Sequence, residues 1–425
     1  MSYDQRSKIQ TCFEARSLAR VWIFLVTFPH QIRRFGNSRF TIAMSTQQKD
    51  NEHEDSDSVQ QEEEEDVTSM TLEERREVVT NLSTLLEKEY IFPVVAQEMV
   101  QLLDKNITRE DGKGYHSITD PRELAKRLTD DLQSISHDKH LKIKFCPEDV
   151  QKMRTYEKGK VDADEDDTTS AKKNGVTGDD LPPDMLKGLQ FGNFGFKEVK
   201  ILLGNVGYID LAGFCSADLA GDTAAAAMNL VAHCSALIFD LRNNSGGSPS
   251  MIQLLTSYLY DGREKIHLNS FYWRPRDVTE QFWILPYVPG KRMPLADVYV
   301  LTSPKTFSAA EEFTYNLKNL KRATIVGETT GGGAHPGGTE IVADRFFVWL
   351  PKGRAINPIT ETNWEGKGVE PDIKVDSINA LETAHLTALE KLIAECKDPV
   401  YAKLYTRHLD ILKKKHSKKG DSDSK

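Results

Sequence analysis

Ser308 ends an extended apolar stretch, Val298-Tyr-Val-Leu-Thr302 and its following turn, and opens a helical pattern that runs to Leu320. A hydroxyl at such a junction faces unpaired backbone N–H groups and the positive end of the helix dipole, both of which favour a developing anion. Ser308 is therefore a candidate nucleophile, and Ala309 and Ala310 leave its approach uncluttered. The same four residues, Ser308-Ala-Ala-Glu311, also spell a capping box, a purely local use of a serine. Asp240-Leu-Arg-Asn-Asn-Ser-Gly-Gly247 has the same setting between a buried strand pattern and a helix. Gly246 and Gly247 allow close backbone approach, and their N–H groups could hold a tetrahedral oxyanion, at about 3 kcal/mol per donor. A simple glycine turn is the other use of this run, which does not match a phosphate-binding GxxxxGK(S/T) loop.

Ser136-His-Asp-Lys-His140 supplies imidazoles, whose ordinary proton affinity near neutrality suits a general base. His137 and His140 could instead ligate a metal, but no further Cys/His cluster completes such a site. Glu365, in Asn363-Trp-Glu-Gly-Lys-Gly-Val-Glu-Pro-Asp372, lies between an aromatic residue and a glycine turn. A carboxylate there could orient a histidine, or be an ordinary loop glutamate.

These residues need elements to hold them. Thr71-Leu-Glu-Glu74 caps a helix carrying Val78, Leu82, Leu85 and Leu86; Pro93 and Asp120-Pro121 open two more. Short connections make a small helical bundle. The stretch 157–183 reads as a mobile charged linker. Beyond it, strands at 207–211, 236–241, 298–302 and 323–326 alternate with helices at 222–234, 249–260 and 308–320, which predicts βαβ units and a mainly parallel sheet. A later strand is expected at 346–350 and two helices near 378–395 and 398–414, followed by a basic tail. Phe271, Trp273, Phe282, Trp283 and Trp349 belong to the core or line a groove.

In order and in combination, these segments resemble those of the S41 family, the tail-specific or C-terminal processing serine peptidases. The additional segment Val326-Gly-Glu-Thr-Thr-Gly-Gly-Gly-Ala-His-Pro-Gly337 takes its place in the same order. The resemblance is strongest to the branch holding the tricorn core and the interphotoreceptor retinoid-binding protein modules, and covers residues 70 to 376. It implies an α/β, crotonase-like core of stacked ββα units behind the small helical bundle. It implies Ser308 as nucleophile, His140 as the base, Glu365 as the acidic residue, and oxyanion donors at Ala309 and at Gly246 or Gly247. Thr329-Thr-Gly-Gly-Gly333 holds no lysine, so the serine–lysine dyad of the bacterial processing members is missing there. His335 is then the reserve base. No PDZ domain fits between bundle and core.

The resulting division is a disordered or targeting extension over 1–68, the helical bundle over 69–150, a charged linker over 151–185, an S41-type catalytic core over 186–376, and C-terminal helices with a basic tail over 377–425. The expected substrate is a peptide or protein, with no metal or organic cofactor. A net charge of −9 without a clustered basic face argues against nucleic acid. Val21-Trp-Ile-Phe-Leu-Val-Thr-Phe28 is too short to span a bilayer, though arginines around it suit a targeting segment. Five widely spaced cysteines read as free thiols, which favours a reducing, cytoplasmic setting. Homo-oligomerisation stays open. A second function on the same scaffold is a non-catalytic retinoid or fatty-acid carrier.

Overall fold

A computed structural model describes residues 69–164 and 181–420; the predicted extension, Cys12 and the middle of the linker lie outside them. In chain order the first part is α1 (Leu72–Glu89), α2 (Pro93–Thr108), α3 (Pro121–Ser136), β1 (Lys142–Phe145) and α4 (Pro147–Asp164). There follow α5 (Pro183–Phe191), β2 (Phe196–Leu202), β3 (Val206–Leu211), α6 (Ala217–Val231), β4 (Ala236–Asp240), α7 (Pro249–Ser257), β5 (His267–Trp273) and β6 (Val278–Trp283). The last part is β7 (Asp297–Thr302), α8 (Ala309–Asn319), β8 (Ala323–Gly327), β9 (Gly337–Ala343), β10 (Phe346–Pro351), β11 (Gly353–Ile356), β12 (Ile373–Lys374), α9 (Ala380–Glu395) and α10 (Pro399–Gly420).

The bundle forms where its caps predict. The Thr71 hydroxyl accepts from the Glu74 N–H at 3.2 Å and the Glu74 carboxylate accepts from the Thr71 N–H at 2.7 Å. Its apolar faces do not close on themselves. Val78, Leu82, Leu86, Met99, Leu103, Leu128 and Leu132 share one core with Ile143 of β1 and with Val348 and Leu350 of β10. The bundle therefore extends into the small antiparallel sheet β1-β10-β9. That sheet ties residues 142–145 to the chain two hundred residues on, which the predicted domain division did not foresee. The charged linker also begins later than expected, because α4 continues to Asp164. Pro147 at its start, with Glu148 and Asp149 in its first turn, favours a helix there.

The main sheet has the order β12-β8-β7-β4-β3-β2, parallel throughout except for the antiparallel β2–β3 pair. β4 is buried at every position, as its unbroken apolar sequence Ala-Leu-Ile-Phe predicts. One face packs on α6, α7 and α8 through Met228, Leu255, Phe313 and Leu317. The other face is covered by α9 through Ala380, Ala384 and Ala388, so this helix belongs to the core rather than to a tail. The result is a mixed α/β fold with a helical N-terminal region. A third sheet, β11-β5-β6, was not predicted. Among the described residues Cys146, Cys215, Cys234 and Cys396 are free thiols, and no helix is long and apolar enough to cross a membrane.

Candidate active site

Parallel pairing sets the carboxyl ends of β4 and β7 side by side, with Asp240 opposite Leu301. The two loops that leave these ends are stitched together. The Thr306 hydroxyl donates to the Leu241 carbonyl at 2.8 Å, the Ser303 hydroxyl to the Arg242 carbonyl at 2.5 Å, and the Phe307 N–H to the Asn244 carbonyl at 3.0 Å. Ser308 leaves the second loop with φ 57° and ψ −122°, a conformation that L-residues avoid, costing about 1–3 kcal/mol. The Glu311 N–H donates to the Ser308 carbonyl at 2.9 Å.

Gly246 lies against this turn. A Cβ there would stand 2.8 Å from the Ser308 Cβ and 3.0 Å from the Ala309 nitrogen, so only glycine fits at its φ of 115°. Its N–H donates to the Asn244 side-chain oxygen at 2.9 Å. That corrects the expectation of Gly246 as an oxyanion donor, because its hydrogen is already placed. Gly247, at φ 146°, spends its backbone differently. The ladder to Phe214 runs through the Gly246 carbonyl and the Ser248 N–H. The N–H groups of Gly247 and of Ala309, the first residue of α8, stay outside those bonds.

Glu311 pins the next layer. Its carboxylate, with no exposed surface, accepts from the N–H groups of Ser308 at 2.9 Å, Gly332 at 2.6 Å and Gly333 at 2.8 Å, and from the Thr330 hydroxyl at 2.5 Å. Burial still pushes its carboxyl up. The glycine loop is in turn laced to the segment holding Glu365. The Trp364 indole donates to the Gly333 carbonyl at 2.8 Å, the Gly366 N–H to the Gly332 carbonyl at 3.1 Å, and the Ala334 N–H to the Glu365 carboxylate.

Two imidazoles flank that loop. The His140 side chain, 8% exposed, lies 4.6 Å from the Phe307 ring and stacks on Trp349 at 6.2 Å between centroids. The pairing of Lys142 with Trp349 brings this indole to the start of β1. Neither ring nitrogen of His140 has a hydrogen-bond partner among the described residues, so His140 makes no hydrogen bond to the Ser308 hydroxyl. Burial drives its pKa down to about 4, against the pull of Asp138. His335 has the opposite setting. Its Nδ1 is 2.7 Å from Asp138 Oδ2 and 3.6 Å from Glu365 Oε2. Burial opposes its charge, but the hydrogen bond and charge of Asp138 and the charge of Glu365 outweigh that, and its pKa is raised. Burial, with Asp138 close by, pushes Glu365 up to about 7. The ligand atoms of Asp138, His335 and Glu365 lie within 4.8 Å of one another, and the 2.7 Å contact is a hydrogen bond.

Residues 205–375 match the family model described as Peptidase family S41, and residues 51–173 match one described as the N-terminal domain of Peptidase_S41 in eukaryotic IRBP. By these two matches the chain is similar to peptidase family S41. Solved structures similar to it include the photosystem II D1 C-terminal processing protease, with 14% identity over 72% of this chain and 93% of that one, at a TM-score of 0.41. The tricorn protease has 14% identity over 81% of this chain and 37% of that one, at 0.44. A lipoprotein from Streptococcus agalactiae has 15% identity over 73% and 94%, at 0.43. Of the Bacteroides fragilis S41 chain that it matches, the protein spans 58% of the length.

Here Ser308, Ala309 and Gly246 come together, Gly247 packs on the Phe214 backbone, and His140 sits beside Phe307. Glu365 does not reach His140 through any hydrogen bond; its neighbours are His335 and the Ala334 N–H. His137, in a left-handed conformation, closes α3 and is exposed, away from the role of a metal ligand. Two buried carboxylates at this site escaped the motif reading. Asp138 stood between the histidines of its own motif. Glu311 was visible only as the third residue of a capping box.

Proposed function

We propose that the protein is a serine peptidase in which Ser308 attacks the scissile carbonyl while His140 takes its proton. The observation that carries this reading is the strained backbone of Ser308 at the head of α8, held there by Glu311 and pressed by Gly246. A serine that merely caps a helix has no need of that conformation. The Oγ–carbon bond forms as the proton moves to His140. The oxyanion is met by the Ala309 and Gly247 N–H groups, at about 3 kcal/mol each. Collapse breaks the carbon–nitrogen bond, and His140 returns its proton to the leaving amine. Water, deprotonated by His140, then releases the acyl group and regenerates Ser308. Peptides and proteins are the substrate class.

A fluorophosphonate probe tests the nucleophile. Labelling of the wild type that disappears in Ser308→Ala supports the reading; labelling that survives this substitution refutes it. The N-terminal match to a domain of IRBP motivates the alternative, a non-catalytic retinoid or fatty-acid carrier on the same scaffold. That alternative requires retinol to quench the tryptophans of a protein that takes no probe. The cleft of about 370 Å³ between α1 and α2 does not favour it, since Arg76, Asp104 and Glu110 line it with charge.

A further inference from the structure

A base buried like His140 has a difficulty that the serine mechanism must overcome. Its ring stands among Phe307, Trp349 and the Gly333 backbone, where gaining a proton puts an uncompensated charge in an apolar site. In the familiar triad a carboxylate bonded to the far ring nitrogen relieves this. Glu365 does not occupy that place. What faces His140 is Asp138, 1% exposed, whose Oδ1 accepts the His140 backbone N–H at 3.0 Å and lies 4.0 Å from Nδ1. The other oxygen of the same carboxylate is 2.7 Å from His335 Nδ1, and Glu365 Oε2 lies 3.6 Å from that same nitrogen.

We propose that Glu365 serves the base indirectly, through His335 and Asp138, so that two carboxylates and one imidazolium present a single negative charge to the imidazolium that forms on His140. This rests on the serine-peptidase reading above. The charge count is the core of it. Asp138 shared with a protonated His335 alone is neutral and would do little for His140. Adding the Glu365 carboxylate restores one negative charge, and it moves no atom of the substrate. Asp138, His335 and Glu365 are then positioning residues rather than members of a direct triad.

The surrounding groups are compatible with this count. Tyr90, at the end of α1, stays a neutral phenol near Asp138, its ionisation suppressed by burial and by the Asp138 charge. Phe92 packs edge-on to His335 at 5.2 Å and adds no charge. Arg354 of β11 opposes the charge on His335, and Glu311 at the head of α8 opposes that on Glu365. Lys139, next in sequence to Asp138, is exposed and donates to the Gly331 carbonyl at 2.5 Å. Because burial and Asp138 lift Glu365 to about 7, its ionisation falls inside the working pH range. Activity should therefore rise with pH through that value, as Glu365 loses its proton.

The experiment measures kcat, KM and the pH profile of kcat/KM on a fluorogenic peptide cleaved by the wild type, with near-UV circular dichroism reporting folding. Glu365→Gln keeps the shape and removes the charge. It should lower kcat about 10- to 100-fold, the loss of one opposite charge near His140, with KM little changed and the limb near pH 7 gone. His335→Gln removes the cation between the two carboxylates and should shift the same limb, while Glu365→Asp, which keeps the charge, should retain it. The proposal is overturned if folded Glu365→Gln keeps the wild-type kcat and limb. It is equally overturned if Glu365→Asp loses the limb as completely as Glu365→Gln. Ser308→Ala separates the two levels. If it is inactive while both Gln variants behave as wild type, only the relay fails. If Ser308→Ala still cleaves the peptide, the serine-peptidase reading fails with it.

Discussion

Two imidazoles lie on either side of one glycine loop, and their surroundings drive them in opposite directions. His140 stands among rings, with neither nitrogen partnered among the described residues, and burial favours its neutral form. His335 is about as buried, yet the carboxylates of Asp138 and Glu365 favour its charged form. Equal burial with unequal partners favours the neutral ring in one place and the charged ring in the other. The contrast distinguishes the two rings more sharply than the motifs do. A neutral imidazole can accept the Ser308 proton, whereas one already committed to two carboxylates cannot.

Exchanging the roles would break this comparison most severely. His140→Ala should cost about 10⁴-fold in kcat, the scale of losing a triad member, or about 5 kcal/mol of transition-state stabilisation. His335→Ala should cost far less. Steady-state rates on a peptide substrate decide it, and a dead His335→Ala beside an active His140→Ala would reverse the assignment.

The loop between the two pockets is the next target. Glu311→Ala would strip a fully buried carboxylate from the Ser308, Gly332 and Gly333 N–H groups and from the Thr330 hydroxyl. Each buried donor left without a partner costs about 1–3 kcal/mol, so the variant should lose about 4 kcal/mol or more. Urea unfolding measures this. A loss under about 1 kcal/mol would mean that the loop relaxes freely and that both imidazoles are held by something else.

How much of this was legible follows from the range of the interactions. Caps and unbroken apolar runs are local, so α1, α3, β4 and β7 fall close to where their residues predict. The meeting of Ser308 with Gly246 was legible because a tight turn at a helix head and a glycine approach leave short motifs. β5 and β6 were missed because His267-Leu-Asn-Ser-Phe-Tyr-Trp273 and Val278-Thr-Glu-Gln-Phe-Trp283 mix polar and aromatic residues without strict alternation. β1 joins β10 across two hundred residues, which no local pattern encodes. For the same reason the partner of Glu365 was misjudged. Only the lacing of Gly332, Gly333 and Ala334 to residues 364–366 brings that carboxylate to His335.

The two histidines also pull stability in opposite directions with pH. For His140 the folded pKa, about 4, is below the ordinary value of 6.5. As pH falls from 6.5 to 4 the unfolded chain gains a proton that the folded one refuses, so stability is lost over that window, by about 3 kcal/mol. His335 is raised when folded, so its contribution is present at low pH and fades as pH rises through its folded pKa. Unfolding free energies at pH 4.5 and 6.5 test this through His140→Gln, which should flatten the acid-side slope. His335→Gln should leave that slope and weaken the protein most at low pH. The same slope in both variants would contradict the contrast.

The finest test leaves both imidazoles in place and alters one wall. Trp349 stacks on His140 with 25° between the planes. Trp349→Phe removes part of that wall and admits water, which relieves desolvation and should raise the His140 pKa from about 4 toward its ordinary value. It also weakens a cation–π contact to the charged ring, worth about 0.5–1 kcal/mol, which acts in the other direction. Desolvation is the larger influence on His140, so the net shift should be upward by less than about one unit, with kcat/KM changed less than about fivefold. Histidine proton resonances followed by NMR from pH 3 to 8 would show it. A downward shift would mean that the indole's attraction for the cation, not its exclusion of water, governs the base, and the apolar pocket would then favour proton transfer rather than resist it.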